Sequence, residues 1–279
     1  MSRKSRLKFD KIGYWSEIKL DIIKDYAVAY SRIFSAERQR RFHHFYIDAF
    51  AGAGLHISRA TGEFILGSPL NALYVEPRFR EYHFIDLDRK KVAVLREIAG
   101  ARPDVHVHEG DSNQILLQEV FPRVRYEEFR RGLCVLDPYG LHLNWNVIQT
   151  AGQMGTIDIF LNFPVADINR NVLWRHPEGV DLTDIERMND FWGDASWRRI
   201  AYPTDRDLFG HPEKEANETV AEAFRQRLRE HGGFAYVPVP LPMRNSQRTV
   251  VYYLFFASHK SVAKDIVEDI FEKYRRRGA

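Results

Sequence analysis

Cysteine is nearly absent. The single Cys134 in 279 residues cannot build a disulfide framework or a cysteine-rich zinc site. Long apolar runs are also missing. None approaches the roughly 18 residues that cross a bilayer, and 28% of the chain is charged, so no membrane association is expected. Met1 to Asp10 are basic and polar and lack the apolar stretch of a signal peptide. With one cysteine, this points to the reducing cytoplasm. There is no internal repeat, no low-complexity tract and no G-x-x-x-x-G-K-[ST] run, which excludes a P-loop enzyme. Apolar and aromatic residues are plentiful, at 44% and 13%, which rules out disorder and supplies one large core or two smaller ones.

The net charge of +3 is unevenly spread. Residues 1–44 hold 11 Lys/Arg against 5 Asp/Glu, and residues 244–279 hold 8 against 4. Residues 165–233 reverse the sign, with 10 against 14. Basic ends suit a polyanionic partner such as nucleic acid, and equally suit solvated helix faces.

Trp15, Ile18, Ile22, Tyr26, Tyr30 and Ile33 recur at helical spacing, which predicts an amphipathic helix over 14–34. A buried strand through Phe45 to Ile47 follows, ending in a glycine turn, Asp48 to Gly54. Leu55 to Gly67 reads as a loop, and Ser68-Pro69 as a helix start with Ser68 as the cap. Further strands are expected at Tyr82–Ile85, Val105–His108, Leu133–Leu136 and Asp158–Phe163. Helices are expected at Lys90–Ala99 and through Ile115 and Val120. Near-continuous apolar strands alternating with helices mark a parallel sheet covered on both faces. Phe234–Val239 and Thr249–Ala257 are joined too briefly for a crossover helix and should pair antiparallel. A last helix starts near Ser261 with Val262, Ile266, Ile270 and Tyr274 inward, before a basic tail Arg275-Arg276-Arg277. Residues 165–233 break the strand rhythm and read as a helical insertion, with Glu213–His231 its clearest helix. The expected organisation is an N-terminal helical segment over 1–44, an α/β core over 45–164 plus 234–279, and the insertion between its parts.

In an open parallel sheet, ligands bind outside the carboxyl ends of the strands. Asp48, Gly52, Gly54, Asp86, Asp111 and Asp137 all fall there. Gly52 and Gly54 allow a tight turn and close approach of backbone to ligand. Asp86 is placed to accept hydrogen bonds from a ribose, facing the cleft so that its loss should cost binding and not stability. Asp111 is placed to take an adenine amino group. A dinucleotide is not expected, because the third position of the glycine fingerprint is Ile57.

Asp48 to Gly54, Phe84-Ile85-Asp86, Glu109-Gly110-Asp111 and Asp137-Pro138-Tyr139 look in turn like the first four motifs of the class I S-adenosylmethionine-dependent methyltransferases, which the chain resembles. The resemblance implies a Rossmann-like, doubly wound seven-stranded sheet whose final hairpin holds an antiparallel seventh strand. It also implies S-adenosylmethionine as cofactor, with Phe50 joining Asp48, Gly52, Gly54, Asp86 and Asp111 around it. More narrowly, the chain resembles the three-Cys-motif partner proteins. That likeness rests on Trp15, Lys19-Leu20, Tyr26 and Tyr30, on Tyr46 to Gly52, on Gly67 to Leu70 with Ala72-Leu73, and on Asp137 to Gly140. It implies a protein partner carrying a cysteine motif.

Asp137 and Tyr139 are the candidate catalytic residues. Amino-methylating nucleic-acid enzymes often read [DN]-P-P-[YFW]; this chain lacks the second proline, and its aromatic comes one residue early. Asp137 can still accept an amino hydrogen and Tyr139 can still stack on a base. Methyl transfer to nucleic acid is therefore the first functional expectation. A non-catalytic partner subunit, or a methyltransferase acting on a protein or small molecule, stands as the alternative. No metal site is expected: His106 and His108 alternate on one strand face without a third ligand nearby. Cys134 reads as an inert core residue. Trp174, Trp192 and Trp197, beside Arg175, Arg198 and Arg199, read first as a small helical core and second as a binding hot spot.

Overall fold

The computed structural model describes residues 9–36, 41–174, 177–202 and 216–276. Residues 1–8, Arg175, Arg277 and the start of the expected Glu213–His231 helix lie outside them. Two compact units divide the chain at Val135/Leu136.

The first unit runs β1 (Lys11–Ile12), α1 (Tyr14–Ala36), β2 (His43–Asp48), β3 (Leu55–Ser58), β4 (Phe64–Leu66), α2 (Ser68–Leu73), β5 (Glu81–Asp86), α3 (Arg89–Ala99), β6 (Val105–Glu109), α4 (Ser112–Ile115) and β7 (Arg130–Leu136). A widened turn, Leu116–Val120, and a 3₁₀ turn, Phe121–Arg123, prolong α4. The second unit runs α5 (Trp145–Met154), β8 (Ile157–Phe163), α6 (Val165–Asn171), α7 (Leu182–Trp192), α8 (Trp197–Ala201), α9 (Asn217–Glu230), β9 (Leu241–Arg244), β10 (Val250–Ala257) and α10 (Ser261–Arg275).

Seven strands form one sheet in the order β6-β5-β2-β7-β8-β10-β9. In the first unit β2 pairs parallel with both β5 and β7, and β5 with β6. The chain thus builds outward from β2 through β5 to β6, then returns to β2's other side, the strand reversal of a doubly wound sheet. Consecutive buried residues along β2, β5 and β7 show that both faces are covered. In the second unit β10 is antiparallel to β8 and to β9. This is the expected seven-stranded fold.

Several local expectations are corrected. Leu55–Gly67 is not a plain loop: β3 and β4 form a hairpin, and β1 joins β3 in parallel to make a separate three-stranded sheet. The second partner comes from more than forty residues upstream, so no local pattern announces it. Ser68 is the first residue of α2, and Gly67 caps it without a side-chain hydrogen bond. Helix α5 was not foreseen. The strand expected at Phe234–Val239 forms instead at Leu241–Arg244, leaving only the isolated bridge Tyr236↔Ser258 behind. Pro238 removes a backbone donor within the expected strand and Pro240 one just beyond it, whereas Pro242 is tolerated because β9 is the sheet edge. The inward face of α10 is Ala263, Val267, Phe271 and Tyr274; Val262 is exposed. In α1, Ile18, Ile22, Tyr26 and Tyr30 are buried, but Ile33 is exposed and Leu20, Ile23 and Ala27 are buried in addition.

The helices α6 to α9 lie in sequence between β8 and β9. Trp192 and Trp197 are buried there: Trp192 lies beside Phe224, and the Trp197 ring N–H donates to Asn189 Oδ1 at 2.8 Å. They belong to a helical core, while Trp174 remains half exposed.

His44 on β2 is buried, with its Nε2 2.9 Å from the Ser31 hydroxyl of α1, which in turn donates to the Pro77 carbonyl ahead of β5. Burial, reinforced by the nearby Arg80 and His43 charges, lowers its pKa to about 4. Folding thus excludes a proton that an unfolded imidazole binds below its ordinary value of about 6.5. Its contribution to stability should be complete above pH ~6.5 and decline as pH falls toward 4. Denaturation midpoints across that range should show this slope in the wild type and a shallower one in His44→Gln; parallel slopes would count against it.

Candidate functional site

The register of the first unit aligns the carboxyl ends of its strands. Asp48 is paired with Phe84 on one side and Val135 on the other, and Asp86 with Glu109. The turn after β2 is fastened at almost every step. Ala49 N–H donates to Val135 O at 3.0 Å, and Ala51 N–H to Ile85 O at 2.9 Å. Gly52 N–H donates to Asp86 Oδ2 at 2.8 Å, and Gly67 N–H to Gly54 O at 2.8 Å. The Ser112 hydroxyl donates to the Ala49 carbonyl. Such a turn has little freedom left to lose when a ligand binds, and that preorganisation favours affinity.

The two glycines have different jobs. Both adopt positive φ, +64° at Gly52 and +77° at Gly54. A Cβ on Gly52 would meet nothing within 4 Å, so open space lies in front of it. A Cβ on Gly54 would lie 3.2 Å from Leu95 Cδ2 and 3.4 Å from Leu70 Cγ, against α3 and α2. Gly54 is therefore also required by packing against these two helices.

Asp86 is half-buried and its carboxylate is already in use. Beside the Gly52 bond, Oδ1 accepts from Asp88 N–H at 2.8 Å, and Asp88 caps α3 through Lys90 N–H at 2.8 Å. Each oxygen keeps lone-pair capacity for a hydroxyl, but the residue also holds the turn, so its loss costs stability as well. Asp111 is exposed and caps α4, its Oδ1 accepting from Asn113 N–H at 2.9 Å. Asp48 is fully buried, with Oδ1 accepting from Phe50 N–H at 3.3 Å, while Phe50 is half-buried. Burial, and then the Asp48 charge, push the Tyr46 hydroxyl and the Cys134 thiol far above their ordinary pKa values. Cys134 is thus the inert core residue expected.

In the second unit, Asp137 follows β7 directly and is half-buried, with Oδ1 accepting from Asn162 Nδ2 of β8 at 2.8 Å. Tyr139 is 89% exposed, so both faces of its ring are available for stacking. Sequence reasoning missed Asn162. It also missed two companions of His106 and His108: Glu81 and His83 share β5, beside His106 and His108 of β6. Two i, i+2 polar pairs were the available signal, though Glu81 falls just before the strand expected at Tyr82–Ile85. Burial lowers the pKa of both His83 and His108. Burial alone would raise the Glu81 carboxyl, but hydrogen bonds from His43 and His83 and the Arg123 charge hold it well below the carboxylate range.

No family model and no curated protein matches the chain. Among solved structures, the Legionella pneumophila protein LPL1258, of the DUF519 family, aligns over 90% of this chain and 91% of its own, with 13% identity and a TM-score of 0.52. A putative S-adenosylmethionine-dependent methyltransferase from Listeria monocytogenes aligns over 87% and 100%, with 11% identity and a TM-score of 0.41. A putative methyltransferase from Thermobifida fusca aligns over 87% and 82%, with 11% identity and a TM-score of 0.40. The LPL1258 likeness extends over nearly the whole of both chains and is a likeness of fold. Among the described residues, no helix is long and apolar enough to cross a membrane.

Asp86→Ala removes the acceptor from the Gly52 and Asp88 N–H groups. It should lower stability by about 1.5–3 kcal/mol, the scale for bonds to a charged partner. Urea denaturation measures this, and an unchanged midpoint would mean that the carboxylate does not hold the turn.

Proposed function

We propose that the chain is an S-adenosylmethionine-dependent methyltransferase acting on nucleic acid. The observation that carries this reading is the Gly52 turn, a rigid backbone cradle at positive φ with open space before it, tied to an acidic strand end. The residues fit the cofactor. Asp86 has lone pairs left for the ribose hydroxyls, the Gly52 side lets the ligand approach the backbone, and Asp111 is an exposed acceptor for the adenine amino group. The cofactor, when bound, supplies an electrophilic methyl group. The chain's part is to bind and orient donor and acceptor so that they meet in line.

Asp137 is the group we assign to the acceptor. Its bond from Asn162 fixes the carboxylate, which can then accept a hydrogen from the nucleophilic amine. The exposed Tyr139 supports a flat acceptor, since base–aromatic stacking is worth about 1–3 kcal/mol. The basic C-terminal tail supports it less than the charge count suggests: Arg275 and Arg276 both contact Glu272, at 3.7 and 2.9 Å. Its single cysteine suits the reducing cytoplasm, and its resemblance to the three-Cys-motif partner proteins would give it a partner bearing a cysteine motif.

Calorimetry should detect binding of S-adenosylmethionine or its demethylated product by the wild type, and none by Gly52→Val, which adds a branched side chain at positive φ and fills the cradle. Absence of binding by folded wild type, alone or with its partner, would overturn the reading. Asp137→Ala should keep cofactor affinity and lose turnover; full activity would remove its role. Affinity for a nucleic-acid acceptor should fall steeply with salt. Salt-independent binding of the true acceptor would instead indicate a protein or a small molecule.

A further inference from the structure

The amino ends of the first unit's strands carry a second cluster of chemistry, about 17 Å along β5 from Asp86 at the usual strand rise. Glu81 and His83 project from the same side of β5, two residues apart, and His106 and His108 do so from β6. Parallel pairing puts His83 directly opposite His106. Glu81 Oε1 lies 2.9 Å from His83 Nε2 and 3.4 Å from His106 Nε2, and the three ligand atoms fall within 4.8 Å of one another. Ligand atoms around a tetrahedral zinc ion at 2.0–2.1 Å are about 3.3 Å apart. The two spacings from Glu81 thus stand close to the one such an ion imposes, and the third, between His83 and His106, lies within 4.8 Å.

The surroundings orient these ligands. His83 Nδ1 is 3.0 Å from His108 Nε2, and His108 Nδ1 is 3.4 Å from Glu119 Oε2. Without an ion His83 Nε2–H donates to Glu81 Oε1; with one, the His83 proton would sit on Nδ1, donating to His108 Nε2, and His108 Nδ1–H would donate to Glu119, which turns the His83 Nε2 lone pair to the ion. Such a carboxylate–imidazole relay is the usual support behind a ligating histidine. His43 Nε2 lies 3.3 Å from the other carboxylate oxygen, Glu81 Oε2, leaving Oε1 for the ion. His83 is buried, whereas the His106 side chain is 38% exposed and gives access from solvent.

We infer that Glu81, His83 and His106 form a binding site for a divalent transition-metal ion of the zinc or cobalt type, with water as the fourth ligand. Two imidazoles and one carboxylate suit these ions, and not the all-oxygen preference of magnesium or calcium. The ion would clamp β5 to β6 at the ends opposite the glycine turn. Arg123 is its competitor: the guanidinium pairs with the same Oε1, and its side chain is 46% exposed, so it can swing into solvent. This inference is independent of the methyl-transfer reading.

Cobalt(II) tests it on the full chain, by equilibrium dialysis and visible absorption. The wild type should take up one equivalent with the spectrum of a tetrahedral site, and zinc should displace it. His106→Ala should abolish uptake. His108→Ala should weaken it about 10–100-fold, the usual effect of losing a supporting partner. Arg123→Gln should tighten it several-fold, a gain that misfolding cannot imitate. No stoichiometric uptake by the wild type, uptake unchanged in His106→Ala, or no tightening in Arg123→Gln would each overturn the assignment.

Discussion

Parallel pairing of β2 with β5 on one side and β7 on the other is the constraint on which the first unit depends. Register in a sheet with covered faces is strongly specified, because a one-residue slip would turn every buried side chain to the wrong face. That register puts Asp48 beside Phe84 and Val135, and lets the turn after β2 use the Ile85 and Val135 carbonyls and the Asp86 carboxylate as anchors. The turn is shaped by its neighbours at least as much as by its own glycines.

The same strands serve different chemistry at their two ends. At the carboxyl ends, backbone N–H groups and short acidic side chains surround open space in front of Gly52. At the amino ends, imidazoles gather around one buried carboxylate. Alternation in β5 makes both possible: Glu81 and His83 share one face, and Asp86 ends the strand where the chain turns into α3.

Legibility in the sequence followed how local the cause was. Strands buried on both faces stood out as apolar runs, and β2, β5, β6, β7, β8 and β10 fall within a residue or a few of their expected places. Elements whose stability is non-local were missed. The β3–β4 hairpin has only four and three residues and is completed by β1. Helix α5 is a different case: it buries Trp145, Ile148, Ala151 and Gly152 at helical spacing and stops at the left-handed Gly155, so its pattern was present in the sequence and was passed over. Strand β9 begins only where Pro238 and Pro240 have been passed. In α10 the buried face is offset by one residue, because the sheet it covers selects among the apolar positions the helix offers.

The site was half legible. The amino-acid order alone determined that acidic residues and a G-x-G turn end successive parallel strands, since periodicity and turn chemistry are written locally. Only the tertiary structure decided what each residue does there. It gave open space to Gly52 and packing to Gly54, committed Asp86 to holding the turn, and set Asn162 against Asp137. It also brought Glu81, His83 and His106 within reach of one another. Those outcomes depend on which atoms from distant segments come within a few ångströms, a distance that register and packing control and that spacing along the chain does not.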